Sequence, residues 1–170
     1  MLKKKRHALL LLANVLLFTF VILLDTTYFL DITIKTATPM LLIPLLCAYS
    51  SFASTRRCLV AGLISGIFID SVSMDAYCFN AVALMLITVA VCLASNNLFN
   101  KNIFSAAVLT LLSAAVYFTS LWLFFYIVPG DMESSLGYLL KYAFPSAVYT
   151  AVFAFPFYLI YKKFNAIKER

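Results

Sequence analysis

The sequence predicts an all-α, polytopic membrane helical bundle with six transmembrane helices and cytoplasmic N- and C-termini, and three observations predict it. The 170-residue chain is 64% hydrophobic and only 12% charged, with a mean hydropathy of +0.99, whereas soluble domains carry roughly 25% charged residues. Its apolar residues gather into continuous Leu-, Ala- and Phe-rich runs that lack the alternation of a membrane β-barrel. The charges between the runs then separate by sign. Lys3, Lys4, Lys5, Arg6, Arg56, Arg57, Lys101, Lys162, Lys163, Lys168 and Arg170 fall on one side, with Glu169 as the single acid there. Asp25, Asp31, Asp70, Asp75, Asp131 and Glu133 fall on the other, beside Lys35 and Lys141. The positive-inside rule makes the first side cytoplasmic, so the chain reads as a multi-pass membrane protein.

A helix needs about 20 apolar residues to cross a bilayer, so residues 1–170 hold one membrane domain and no second one. The pI of 9.2 would suggest nucleic acid in a soluble protein. Here the bases sit in short clusters at the ends of apolar runs, which is the pattern of topology signals and lipid-headgroup contacts, so the expected surroundings are a bilayer and not nucleic acid.

The first span, residues 8–24, follows a basic stretch as a secretory signal would. Its length and the absence of a small-x-small site in Leu24-Asp25-Thr26-Thr27 mark it as a retained helix. Its Asn14 is suited to bonding a neighbouring helix. The second span, residues 38–53, carries Pro39 in its first turn, where the missing donor is harmless, and Pro44, which is expected to bend it. Ser54-Thr55-Arg56-Arg57 then makes a short cytoplasmic turn, so spans two and three form an antiparallel hairpin.

The third span is short of apolar residues. Between Cys58 and Ile69 the uncharged stretch covers about 18 Å of helix against a hydrocarbon core of roughly 30 Å. Either the segment is re-entrant, or the helix passes Asp70 toward Met74 (residues 58–74) and carries that carboxylate into the outer leaflet, where it requires a protein or water environment. The fourth span, residues 77–95, ends at the polar run Asn96-Asn97-Leu98-Phe99-Asn100-Lys101-Asn102. The fifth, residues 103–128, is long enough to tilt, with Tyr117, Trp122 and Tyr126 toward its outer end as interface aromatics. Pro129-Gly130-Asp131 is a turn signal. The sixth span, residues 142–161, is interrupted by Pro145 and Pro156 and stops at Lys162-Lys163. Tyr28, Tyr126, Tyr138, Tyr158 and Tyr161 lie near span ends, where interface anchors belong.

Gly62, Gly66 and Asp70 recur at i, i+4 and i+8 and share one face of the third helix, broadened by Ala61 and Ser65. Paired glycines admit another backbone, so this face is expected to be the most tightly packed in the bundle, and Gly62, Gly66 and Asp70 are the candidates for helix packing or partner binding. Asp70 admits two readings: a proton, cation or partner site, or a helix-terminal carboxylate that bonds a neighbouring helix or loop. A coupled transporter needs charged partners at similar depth, and none is evident. Cys47, Cys58, Cys78 and Cys92 lack C-x-x-C spacing, and His7 sits in the basic N-terminus, so neither a metal site nor a disulfide framework is expected. Hydrolase, metalloprotease, nucleotide and dinucleotide motifs are missing, which argues against an enzyme with a catalytic site or bound cofactor.

The stretch from Gly62 through Gly66 and Asp70 to Ser73, followed by Asn80-Ala81, resembles the glycine-rich helix, aspartate and Asn-Ala of the bacterial rod shape-determining MreD family. Pro145-Ser146-Ala147-Val148-Tyr149-Thr150, continuing through Pro156 to the basic tail, is similar to that family's last helix. Met74 and Cys78 stand where family members usually carry glycines. The resemblance implies a non-enzymatic membrane component of the elongation machinery that supports cell shape and lateral peptidoglycan synthesis. It also implies partners: membrane-anchored MreC, actin-like MreB, RodA and a class B penicillin-binding protein. The family's fold is expected to resemble the substrate-binding S components of energy-coupling-factor transporters, which supplies an alternative function, a vitamin-binding S component with a pocket open to the outside near Asp70. Against that alternative, the A-x-x-x-A docking pattern of S components is missing from the first span, whose Ala8 and Ala13 stand five apart.

Overall fold

The computed structural model describes residues 2–26, 39–72, 78–97, 102–127 and 143–169. The expected positions of Asp31, Lys35, Asp75, Lys101, Asp131, Glu133 and Lys141, the ends at Met74 and Pro129-Gly130-Asp131, and the anchors Tyr28 and Tyr138 lie outside the described residues. So do the side chains of residues 2–8, of Tyr126 and of residues 167–169.

Among the described residues the fold is entirely helical. It comprises α1 (Leu2–Thr26), α2 (Leu42–Ser50), α3 (Thr55–Val72), α4 (Phe79–Asn97), α5 (Ile103–Trp122), α6 (Phe144–Val152) and α7 (Ala154–Glu169). Three stretches are long and apolar enough to cross a membrane: Phe79–Asn97, Ile103–Phe125 and Phe144–Ala166, the last spanning α6 and α7. A shorter apolar stretch covers Leu11–Thr26. The chain is thus an integral membrane protein built as a helical bundle.

Helix α2 forms the axis. It touches every other helix, and Leu42 through Ala48 are all buried, as expected for a helix that is apolar on all sides. Nine residues make only about 13.5 Å of helix, shorter than the sequence predicts for this span. Pro44 therefore falls in the first turn of α2 and not in its middle, so it removes a donor that no intrahelical acceptor awaits, and the expected bend is absent. Backbone bonds from Ser51 to Cys47 and from Ala53 to Tyr49 extend the coil to the turn before α3.

The surrounding helices present narrow inner stripes. On α5 the buried residues are Ala106, Leu109, Thr110, Ser113, Ala114 and Tyr117, a spacing of three and four. On α1, Val21 is buried, with Leu17, Phe18 and Ile22 packed beside it, while Leu11, Leu12, Val15, Leu16 and Phe20 face outward. Hydroxyls in the helices donate to the carbonyl four residues back, among them Thr110 to Ala106 at 2.7 Å, Ser113 to Leu109 at 2.7 Å and Ser120 to Val116 at 2.8 Å. That habit satisfies a polar group where water is excluded.

At its outer end α5 widens into a π-helical turn, Leu123–Ile127. Between α6 and α7 the rod breaks at Phe153, whose N–H reaches Thr150 at 3.2 Å. Pro156, three residues on, has no N–H for the Val152 carbonyl, which explains the break. Pro145 lies in the first turn of α6.

Two aromatic expectations are corrected. Tyr158 and Tyr161 are only 2% and 3% exposed, so they are core residues and not interface anchors. Their rings pack against Phe52 and against Tyr49 and Phe164 respectively, because the inner stripe of α7 continues at 154, 158 and 161 toward its basic end.

Candidate functional site

The third helix settles its own length: α3 runs beyond Asp70 to Val72. Of the two possibilities left open by the apolar count, the structure takes the continuous helix, and it surrounds the carboxylate with donors.

Gly62 and Gly66 are buried against α4, and α3 with α4 is the most extensive helix pair among the described residues. A Cβ on Gly62 would stand 2.8 Å from the Leu84 carbonyl oxygen, 2.8 Å from the Thr88 hydroxyl and 2.9 Å from the Met85 Cα. On Gly66 it would stand 2.5 Å from the Asn80 carbonyl oxygen and 2.6 Å from the Ala81 nitrogen, and would overlap the Ala81 Cα. Backbone therefore meets backbone along this seam, and closest at the first turn of α4.

One turn beyond Gly66, Asp70 fastens that same turn. Its Oδ1 accepts from the Asn80 N–H at 3.1 Å and the Asn80 Nδ2 at 2.9 Å, and its Oδ2 accepts from the Ala81 N–H at 2.8 Å. Helix α4 follows Cys78 and has no Ser, Thr, Asp or Asn at its N-cap position, so its free N–H groups need acceptors from elsewhere. A carboxylate there also meets the positive end of the helix dipole. The Tyr117 hydroxyl, on α5, donates to the Asn80 Oδ1 at 2.6 Å, which turns the amide so that its NH2 faces Asp70. Three helices thus join through Asp70, Asn80 and Tyr117.

The same device recurs at α2. Asp25, near the end of α1, accepts from the Leu41 N–H at 3.0 Å and the Leu42 N–H at 2.8 Å, and the Met40 N–H donates to the Thr150 hydroxyl on α6 at 3.2 Å. Here too the N-cap residue, Leu41, offers no side-chain cap.

Gly62, Gly66 and Asp70 therefore come together on one seam. Sequence reasoning assigned no structural role to Asp25, Asn80 or Thr150, and it put Tyr117 at the membrane interface, whereas Tyr117 is buried at 4% exposure. In the structure both α2 and α4 begin without a capping side chain of their own, and each is preceded by a helix with an aspartate in its last turn.

Cys78 precedes α4 with φ 62°, the left-handed region, and it stands where the family resemblance led one to expect glycine. That conformation costs an L-residue about 1–2 kcal/mol, partly offset by the greater unfolded-state freedom of glycine, about 0.4–1 kcal/mol. Cys78→Gly is expected to raise the melting temperature in detergent, and Cys78→Ala is not. Equal behaviour of the two variants would remove the backbone explanation. The other cysteines, Cys47, Cys58 and Cys92, are buried free thiols.

A cleft of about 780 Å³ opens between α1, α3 and α7, with Tyr49, Arg56, Arg57, Ile64 and Tyr161 among its lining. Asp70 does not line it. The cleft begins at Arg56 and Arg57 and reaches Ile22 and Phe68.

The sequence profile of the rod shape-determining protein MreD matches residues 5–167. No curated protein and no solved structure matches significantly. A match over nearly the whole chain, carried by a bundle whose Gly62-Gly66-Asp70 seam and Asn80-Ala81 turn are in direct contact, places the protein: it belongs to the MreD family of rod shape-determining proteins.

Proposed function

We propose that the protein is a non-enzymatic, six-span plasma-membrane component of the elongation complex, with both termini cytoplasmic, and that it holds MreC in place for lateral peptidoglycan synthesis. In this reading MreB lies on its basic, cytoplasmic face, and RodA and the class B penicillin-binding protein are its neighbours in the membrane. Helix α2 serves as a short central span, sealed on all sides by protein, where irregular backbone at its ends is tolerated. The fold is read as that of the energy-coupling-factor S components, without their transport role.

The observation that supports a scaffold is the division of labour among the side chains. Polar groups such as Asp25, Asp70, Asn80 and Thr150 tie helix to helix inside the bundle, while the outer faces of α1, α3 and α5 present Leu12, Leu16, Ile67, Leu112 and Val116. A fixed body with apolar flanks suits the docking of other transmembrane helices by close packing.

Depletion in a rod-shaped host is expected to yield round cells and to release the MreC homologue from co-purification with the wall synthases, and re-expression is expected to restore both. Rods of normal width with intact complexes would refute the scaffold.

A further inference from the structure

The cleft between α1 and α3 has a shape and polarity that the scaffold role does not use. Its α3 wall runs from Arg56 and Arg57 through Val60 and Ile64 to Phe68, and its α1 wall from Leu11 to Ile22. Twelve residues of helix make the groove about 18 Å long, slightly more than one leaflet's half of a hydrocarbon core of roughly 30 Å. The charged side chains are confined to one end, and the rest of the lining is mainly apolar, with Asn14, Thr19 and Ser65 interspersed. Arg56 and Arg57 are exposed at one end, while Ile22 and Phe68 close the other. The acids with described side chains, Asp25 and Asp70, both bond helix N-termini at the far end of the bundle, so neither neutralises the two arginines. Tyr161 lines the same cleft, with its hydroxyl out of solvent reach. It is buried and has no hydrogen-bond partner, and a buried hydroxyl left this way costs about 1–3 kcal/mol.

We infer that this cleft binds an anionic glycerophospholipid from the leaflet at the basic end of the bundle. One acyl chain lies between Val15, Ile64 and Phe68, and the phosphate sits at the Arg56 and Arg57 guanidinium groups. Guanidinium groups pair with phosphate through several N–H donors at once, which favours an anionic over a zwitterionic headgroup. A cleft of about 780 Å³ accommodates one acyl chain with its headgroup, and the two exposed arginines favour a phosphate over the apolar flank of a transmembrane helix, which is the competing occupant the test distinguishes. The inference rests on the membrane orientation described above and not on any partner in wall synthesis.

Native mass spectrometry of the full chain, released from detergent with equal amounts of phosphatidylglycerol and phosphatidylcholine, tests it. The expected result is a retained phosphatidylglycerol adduct, preferred by roughly thirtyfold, which is about 1 kcal/mol for each of the two arginines near an anionic headgroup. Arg56→Gln with Arg57→Gln is expected to abolish the preference. Ile64→Trp is expected to fill the groove and displace lipid with the arginines intact. Inorganic phosphate in excess should not compete, because it lacks the chain, and competition by it would overturn the lipid as ligand. Equal retention of the two lipids, an unchanged Arg56/Arg57 variant, or occupancy of the cleft only after co-expression with a partner helix would also overturn the inference. Each variant is checked by its melting temperature, so loss of fold is read separately. Lipid preference without rescue of rod shape would count against the scaffold alone, and rescue of shape without lipid preference against the lipid site alone.

Discussion

Gly66→Leu is expected to separate α3 from α4 and to leave little monodisperse protein after detergent extraction. Even the Cβ of Gly66→Ala would stand 2.5–2.6 Å from backbone atoms of Asn80 and Ala81, and backbone within a capped first turn cannot rotate aside as a side chain could. Overpacking of this kind costs about 1–3 kcal/mol and sometimes more, so Gly66→Ala should lie near the top of that range and Gly66→Leu beyond it. Gly62→Ala is expected to be milder, because one of its three close neighbours is the hydroxyl of Thr88, and the separations are 2.8–2.9 Å. Ile67→Ala, on the outward face at 48% exposure, should change stability by less than about 0.5 kcal/mol. Melting temperatures in one detergent provide the comparison, and the same extracts report co-purification of the MreC homologue. If Gly66→Ala melted like Ile67→Ala, the α3–α4 contact would be wrong.

Asp70→Ala removes three acceptor contacts at once and is expected to destabilise by about 2–3 kcal/mol, since it leaves buried N–H donors at a helix start without partners. The effect should be local before it is global. Amides of Asn80 and Ala81 are expected to exchange hydrogen at least about tenfold faster in lipid nanodiscs, while those of Leu41 and Leu42 keep wild-type rates. Asp25→Ala should give the mirror result, with Leu41 and Leu42 accelerated and Asn80 and Ala81 unchanged. Uniform acceleration in both variants would show that neither carboxylate acts as a cap. Gly66→Ala and Asp70→Ala act on the same turn of α4, so their combined loss should fall short of the sum of the two.

The reach of the sequence can be stated element by element. The helical class followed from continuous apolar runs, and the small-residue face of α3 followed from a spacing of four, because both depend on periodicity within a single helix. What Asp70 touches could not follow, since its donors arrive from a helix that starts nine residues later and whose direction of approach is fixed by Gly66. Pro44 was misplaced for a related reason: the start of α2 is set by a carboxylate on α1, so a local reading put the helix start too early. Tyr117, Tyr158 and Tyr161 show the same limit for aromatics. Position near a span end suggests an interface, and only the packed bundle reveals which rings turn inward.

Charge sorting, apolar run length and the glycine stripe were therefore determined by the sequence alone: the environment is a bilayer, the elements are helices, and one face of α3 must meet backbone. Tertiary structure alone decided that Asp25 and Asp70 serve as borrowed helix caps for α2 and α4, that the short α2 becomes the buried axis, and that an open cleft runs between α1 and α3. The physical reason is that free N–H groups at a helix start and void space between helices are properties of neighbouring elements in contact, and no single stretch of chain encodes them.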